Sequence, residues 1–292
     1  MTRQIQLFAG LVLLIAPIGC VSPPGTTPRA FVPRVVNRDL GDVVHGTRED
    51  PVSGDPQRPV DEQQVPGSDW PSPVHDNQPF TFLRAEQLEL RVRDGAPNIS
   101  RWDVQGWYGR DFEKLWVKLE GEQSVEGKSE GEAELQALFS QLVAPFWDFQ
   151  IGARYDREWG PGPATDRWFG VIGLQGFSPY EFETELALFV SEDADISARL
   201  TATTDFLLTQ RLIMQPRIET EAALEEVPKF EVGQGLNYVE LGLRWRYEFV
   251  REFAPYFGIN WIRNLGETED LIRRGGGEAS ELSLVLGLSV WF

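Results

Sequence analysis

The segment that most constrains the fold is the last one, residues 280–292, which reads SELSLVLGLSVWF. Every even-numbered position from Leu282 to Phe292 is apolar, whereas Ser, Val, Gly and Trp occupy the odd-numbered positions from Ser283 onward. A strict period of two with one continuous apolar face is typical of a strand that has lipid on one side and a lumen on the other. Taken alone, this segment leaves open a second interpretation, the final edge strand of a soluble β-sandwich.

The remaining strands favour a barrel. From residue 80 onward, about 12 alternating segments are separated by turn residues, with no helical pattern long enough to matter. Their polar faces combine Asp, Glu, Arg and Gln of both signs, which suits a lumen of ion pairs better than a solvated face. The sequence therefore predicts an all-β, transmembrane, up-and-down antiparallel β-barrel over residues 80–292. The segments start near Phe82, Arg101, Lys114, Glu132, Phe146, Arg167, Tyr180, Asp195, Arg211, Asn237, Ala254 and Ser280.

The connections and the aromatic residues support the same interpretation. Odd-numbered connections such as 221–236 and 265–279 are long, with 191–194 as the short exception, and even-numbered connections are tight. This alternation is expected of a barrel with both termini in the periplasm. Aromatic residues near segment ends predict girdles at the two membrane interfaces. They are Trp107, Trp116, Trp147, Trp168, Tyr180, Tyr256 and Trp261.

The N-terminal region has a different composition. Residues 1–20 have the apolar run LFAGLVLLIAPI after Arg3, which predicts a signal peptide. Cys20 lies at its end, where it is either a lipidated cysteine or part of the removed peptide. It is the only cysteine, so neither an intramolecular disulfide nor a cysteine-based metal site can form. Residues 21–79 are rich in proline and lack any period, which predicts a disordered periplasmic tether.

The charge of the chain excludes one class of partner. The formal net charge is −18. Binding to nucleic acid requires a basic surface that faces the phosphates. We therefore expect no nucleic-acid partner.

Collinear motifs in the barrel region point to a family. They are 102–109 (WDVQGWYG), 114–122 (KLWVKLEGE), 144–156 (APFWDFQIGARYD), 175–180 (QGFSPY), 209–217 (TQRLIMQPR), 240–248 (ELGLRWRYE) and 251–256 (REFAPY). Together they resemble the copper resistance protein B family of outer-membrane proteins. The resemblance implies a protein of the bacterial outer membrane that binds copper ions and contributes to copper homeostasis and tolerance.

One departure from the family bears on the metal ligands. Such proteins commonly carry a Met- and His-rich segment before the barrel, whereas residues 21–79 contain only His45 and His75 and no Met. Thioethers suit Cu(I) and imidazoles suit Cu(II), while carboxylates discriminate poorly for copper. The two histidines are candidate ligands, or simply solvated residues of the tether. The candidate carboxylate ligands are Asp148, Asp156, Glu181, Glu183 and Glu185.

Two functional hypotheses remain open. The first is a copper-tolerance barrel that exports or sequesters copper ions, surrounded by outer-membrane lipid and served by a periplasmic copper-handling protein. The second is a structural or general-diffusion barrel without specific metal binding, as the missing Met/His segment suggests. A barrel enzyme would need a histidine base beside a serine at the barrel wall. Both histidines precede residue 80, so we expect no enzyme.

Overall fold

A closed antiparallel β-barrel of twelve spanning strands forms the described part of the chain, residues 78–127 and 130–292 of a computed structural model. The fold predicted from the alternation is thereby confirmed, and each strand begins close to its predicted start. The strands are β1 (Phe80–Arg93), β2 (Ile99–Gly109), β3 (Glu113–Ser124), β4 (Gly131–Ala144), β5 (Trp147–Trp159), β6 (Thr165–Ser178), β7 (Phe182–Ser191), β8 (Ile196–Thr203), β9 (Leu212–Ala223), β10 (Gly235–Tyr247), β11 (Phe253–Asn264) and β12 (Ser280–Trp291).

Each strand pairs with the next, and the last strand closes the sheet on the first. β12 runs antiparallel to β1 from the pair Arg84 and Trp291 to the pair Arg93 and Ser283. After a break at residues 204–205, the short strand Phe206–Leu207 continues the line of β8 along β9. Each of the twelve spanning strands is therefore paired on both sides, so that their backbone groups are satisfied within the protein, as a hydrocarbon environment requires.

The two faces of each strand differ as the alternation predicts. On β12, Leu284 and Leu286 are 62% and 57% exposed on the outer surface, whereas Ser283 and Val285 on the inner face are 2% and 1% exposed. Alternation predicts that the arginines on the polar faces are lumenal, and Arg244, which lies on the polar face of β10, is buried inside the barrel. An apolar outer wall around a polar interior is the arrangement that a lipid bilayer stabilises.

The connections are longest at the end of the barrel where β1 finishes and β12 begins, called here the loop end. Residues 224–234 contain a short 3₁₀ helix, Pro228–Phe230, and residues 265–279 contain helix α1, Gly266–Gly275. The backbone N–H of Gly233 donates to the hydroxyl of Thr268 at 2.9 Å, which ties the two connections together. The sequence analysis missed α1 because ten residues form too short a window for a helical period to stand out. No helix in the described chain is long and apolar enough to cross a membrane.

The aromatic girdles are correct in part. Trp168, Tyr180 and Trp261 are exposed on the outside, and Trp147 shares the outer register of Ile151. Three of the predicted girdle residues instead lie in the lumen, and for these the prediction was wrong. Nearness to a strand end does not decide which face a residue occupies; its parity along the strand does. The lumenal residues are Trp107, Trp116 and Tyr256.

The lumen also holds an apolar cluster on β3, β4, β6 and β7. Leu138 and Phe189 are each 1% exposed at its centre, and Trp107 packs against it.

Some sequence predictions concern residues before residue 78, which lie outside the described residues. These are the predictions of a signal peptide (residues 1–20), of the role of Cys20, of the tether, and of His45 and His75 as ligands. They stay predictions.

The charged lumen as candidate functional site

The lumen is the candidate site because alternation directs a charged or amide side chain inward from nearly every strand. A buried charge is tolerated only when partners compensate it. Glu89 of β1, which is 1% exposed, shows how a buried charge is compensated here. Its carboxylate accepts hydrogen bonds from Arg91 Nε at 2.7 Å and from Arg244 Nη2 at 3.0 Å. Tyr256 also donates its hydroxyl to Glu89, at 3.0 Å.

Three ion pairs cross the lumen between strands that lie at least four positions apart around the barrel. Lys118 of β3 reaches Glu185 of β7 at 2.6 Å. Arg84 of β1 reaches Glu183 of β7 at 3.2 Å. A third pair joins Arg199 of β8 to Glu134 of β4 at 3.1 Å. These transverse ion pairs bridge the interior of the barrel, so the lumen is subdivided by side chains.

Two cavities remain between the bridges. The larger, about 270 Å³, lies towards the loop end and is lined in part by Val227, Phe230 and Val232 of the 224–234 connection. The smaller, about 50 Å³, lies deeper in the barrel, and Glu120 and Arg199 line both. Carboxylates outnumber basic groups in each cavity. The acidic residues of the larger one are Glu120, Glu132, Glu134, Asp156, Glu158, Asp195, Glu219, Glu221 and Glu225, and those of the smaller one are Glu86, Asp103, Glu120, Glu183 and Glu185.

Aromatic rings hold the guanidinium groups of the larger cavity. The guanidinium carbon of Arg167 lies 4.0 Å from the ring centre of Phe230 and 4.8 Å from that of Phe169. Arg154 lies 4.5 Å from the ring centre of Phe189. Cation–π contacts of this kind favour a fixed position for the cation. Arg154 also binds Glu134 at 2.8 Å, so these arginines are engaged within the wall.

The carboxylates predicted as metal ligands are mostly ion-paired and are not brought together. Glu183 and Glu185 share the smaller cavity and carry the transverse pairs, whereas Asp156 lines the larger cavity and pairs with Arg154 at 2.6 Å. Asp148 pairs with Lys114 at 2.6 Å, and Glu181 is exposed in the 3₁₀ turn Pro179–Glu181. Among the described residues, no group of three or more His, Cys, Asp or Glu is placed to hold a metal ion. Metal binding by these five carboxylates stays a prediction, and at four of them a metal would compete with a basic partner.

A row of carboxylates that the sequence analysis missed crosses four adjacent strands. Asp103, Glu120, Glu134 and Asp156 are direct cross-strand neighbours on β2 to β5. Like charges placed directly opposite repel each other unless a cation compensates them. Arg154 and Arg199 compensate the charge of Glu134. Glu120 is less closely paired, because the guanidinium of Arg101 lies 3.8 Å from it. Within the described chain, Asp103 forms no ion pair with any Lys or Arg. The tight β2–β3 turn sets the register and is the sequence signal that could have revealed the first pair.

Comparison with known proteins gives a consistent result. Residues 79–292 match the family model described as Copper resistance protein B precursor (CopB). Copper resistance protein B of Escherichia coli is 38% identical over 219 residues, covering 75% of this chain and 72% of that protein. The copper resistance protein B homolog of Pseudomonas syringae pv. tomato is 36% identical over 219 residues, with the same coverage.

Among solved structures, similarity is found to two porins. The KdgM porin has a TM-score of 0.44 and 7% identity, covering 72% of this chain and 99% of that chain. The NanC porin has a TM-score of 0.45 and 10% identity, with the same coverage.

Proposed function

The chain belongs to the copper resistance protein B family of the bacterial outer membrane, and we propose that it binds copper ions and promotes copper tolerance by export or sequestration. The family match covers the whole barrel, residues 79–292. The proposal concerns binding and movement of a metal, with copper as cargo, and not catalysis.

The bridged, carboxylate-rich lumen is the observation that carries this proposal. Transverse ion pairs at 2.6 Å, 3.1 Å and 3.2 Å subdivide the interior. A general-diffusion barrel needs a continuous aqueous channel. A subdivided lumen with an excess of acids instead favours retention or gated passage of a small cation.

His45 and His75 are the proposed copper ligands outside the barrel, together with lumenal carboxylates. Imidazole binds Cu(II) much better than carboxylate does, and neither is a soft ligand for Cu(I). Binding should therefore favour Cu(II). It should weaken as the pH falls through the ordinary histidine pKa of about 6.5, because protons then compete with the metal. A periplasmic copper-handling protein is the proposed donor.

Growth on graded copper tests the tolerance function. A strain that lacks the gene should stop growing at a lower copper concentration than its parent, and the wild-type gene should restore growth. Complementation with the double variant H45A/H75A should restore less. Equal growth of the deletion strain and its parent at every concentration would refute a role in tolerance.

Copper titration of the purified full-length protein tests the ligands. We expect H45A/H75A to bind Cu(II) at least tenfold more weakly than the wild type. Unchanged affinity would move the site to the lumenal acids. Absence of binding by both proteins would favour the second candidate, a structural barrel without specific metal binding, which the lack of Met in residues 21–79 supports.

A further inference from the structure

One side chain that lines the smaller cavity has a buried oxygen atom without a hydrogen-bond partner in the described chain. Gln136 of β4 is 2% exposed and lines this cavity. Its Nε2 donates to Glu134, but within the described chain its Oε1 is buried without any hydrogen-bond partner. An unsatisfied buried amide oxygen is costly, at about 1–3 kcal/mol. Because leaving this oxygen unpaired is unfavourable, we expect the space beside it to hold an additional group that interacts with the oxygen.

Two carboxylates face the same cavity beside Gln136. Asp103 of β2 and Glu120 of β3 are direct cross-strand neighbours, and Gln136 lies on β4 opposite Lys118, two positions along β3 from Glu120. Three oxygen-bearing side chains on three consecutive strands therefore line one space. Directly opposed carboxylates repel each other, which a cation between them would relieve.

Each basic group near this space pairs with a carboxylate other than Asp103, although the charges of Arg84, Arg101 and Arg217 also act on Asp103 from a greater distance. Lys118 Nζ lies 2.6 Å from Glu185, and Arg217 Nη2 lies 2.6 Å from Glu219. Arg101 approaches Glu120 only to 3.8 Å. Asp103, which forms no ion pair among the described residues, and Glu120, whose ion pair is long, thus differ from the closely paired carboxylates around them.

We propose that Asp103, Glu120 and Gln136 form a binding site for a divalent cation that prefers oxygen ligands. Two carboxylates and an amide oxygen match the ligands of Mn²⁺, Mg²⁺ and Ca²⁺, with water completing the coordination shell. A cavity of about 50 Å³ has room for an ion and a few waters. Asp103, Glu120 and Gln136 are not among the candidate copper ligands, although Glu183 and Glu185, which are, line the same cavity; the site therefore goes beyond the proposed function.

Titration with Mn²⁺ tests the site, since free Mn²⁺ is counted directly by its electron paramagnetic resonance signal. The protein is the full chain with His45→Ala and His75→Ala in place, so that the proposed histidine ligands of copper are absent. We expect one saturable Mn²⁺ site per chain, competed by Ca²⁺. The substitutions D103N and E120Q together should weaken binding at least tenfold, and Q136M should weaken it several-fold.

Glu132→Gln is the matched control, because Glu132 is an acid on the same strand as Gln136 that lines only the larger cavity. It should leave Mn²⁺ affinity unchanged. If E132Q and D103N/E120Q lose Mn²⁺ affinity to the same extent, the effect is one of overall charge and the proposal is overturned. It is also overturned if D103N/E120Q binds Mn²⁺ as tightly as the wild type. Q136M keeps every charge, so it decides the matter if the double variant does not fold. Copper titration and growth of the wild type and H45A/H75A report on copper, whereas Mn²⁺ titration of D103N/E120Q and Q136M reports on residues outside the candidate copper ligands, so each proposal can fail without the other.

Discussion

Glu89 lies at the centre of the lumenal network, and replacing it by glutamine tests how much that network stabilises the barrel. The Glu89 side chain is fully enclosed, and those of Arg244 and Arg91 are 3% and 5% exposed. Glutamine keeps the shape of the side chain and can still accept a hydrogen bond. It removes the negative charge that faces two guanidinium groups, and only Arg91 retains another carboxylate partner, Glu240 at 3.0 Å.

The expected loss follows from burial. Removing one partner of a buried ion pair leaves an uncompensated charge and costs about 3–5 kcal/mol. Arg157 and Asp166 provide a control, because they lie 3.8 Å apart with side chains 54% and 47% exposed. Solvent screens such a pair, so D166N should lower the free energy of unfolding by less than about 1 kcal/mol.

Urea unfolding in detergent micelles measures both variants, with tryptophan fluorescence and heat-modifiable gel mobility as independent readouts. E89Q should unfold at a clearly lower urea concentration than the wild type, and D166N should match the wild type. If E89Q loses no more stability than D166N, the lumenal charges are screened by water and the network does not hold the barrel together.

Three further predictions follow from the fold. The double variant E183Q/E185Q breaks both transverse ion pairs of β7 and should raise single-channel conductance in planar bilayers. The control D166N should leave the conductance unchanged. If the conductance of E183Q/E185Q equals that of the wild type, these two ion pairs are not the barrier to ion passage. Leu286→Arg near the middle of β12 should cost about 2–4 kcal/mol in lipid, measured by urea unfolding in bilayers, while no loss would contradict the outward orientation of Leu286. A chain that starts at Gln78 should still fold with heat-modifiable gel mobility, because all strands of the described barrel lie after that residue; failure would show that the preceding segment is required.

The aromatic residues show which features of the structure can be predicted from the local sequence pattern. Alternation correctly assigned the outer face of β12 and the inner position of Arg244, because parity along a strand fixes the face. Nearness to a strand end assigned Trp116 to a girdle, yet Trp116 lies two positions from lumenal Lys118, on the same face of β3, and is 8% exposed inside the barrel. Parity would have placed it correctly.

The sequence by itself determined the barrel, its strand count and the composition of its two faces, since these follow from a period of two that each strand carries locally. Only the tertiary structure decided which charges meet. Lys118 and Glu185 lie on β3 and β7, and no local pattern specifies a contact across a closed sheet. Such contacts depend on the register and stagger of all twelve strands together. The same is true of Asp103 and Glu120: the register of β2 and β3 places them opposite each other, and among the described residues the closed barrel brings no close basic partner to either carboxylate.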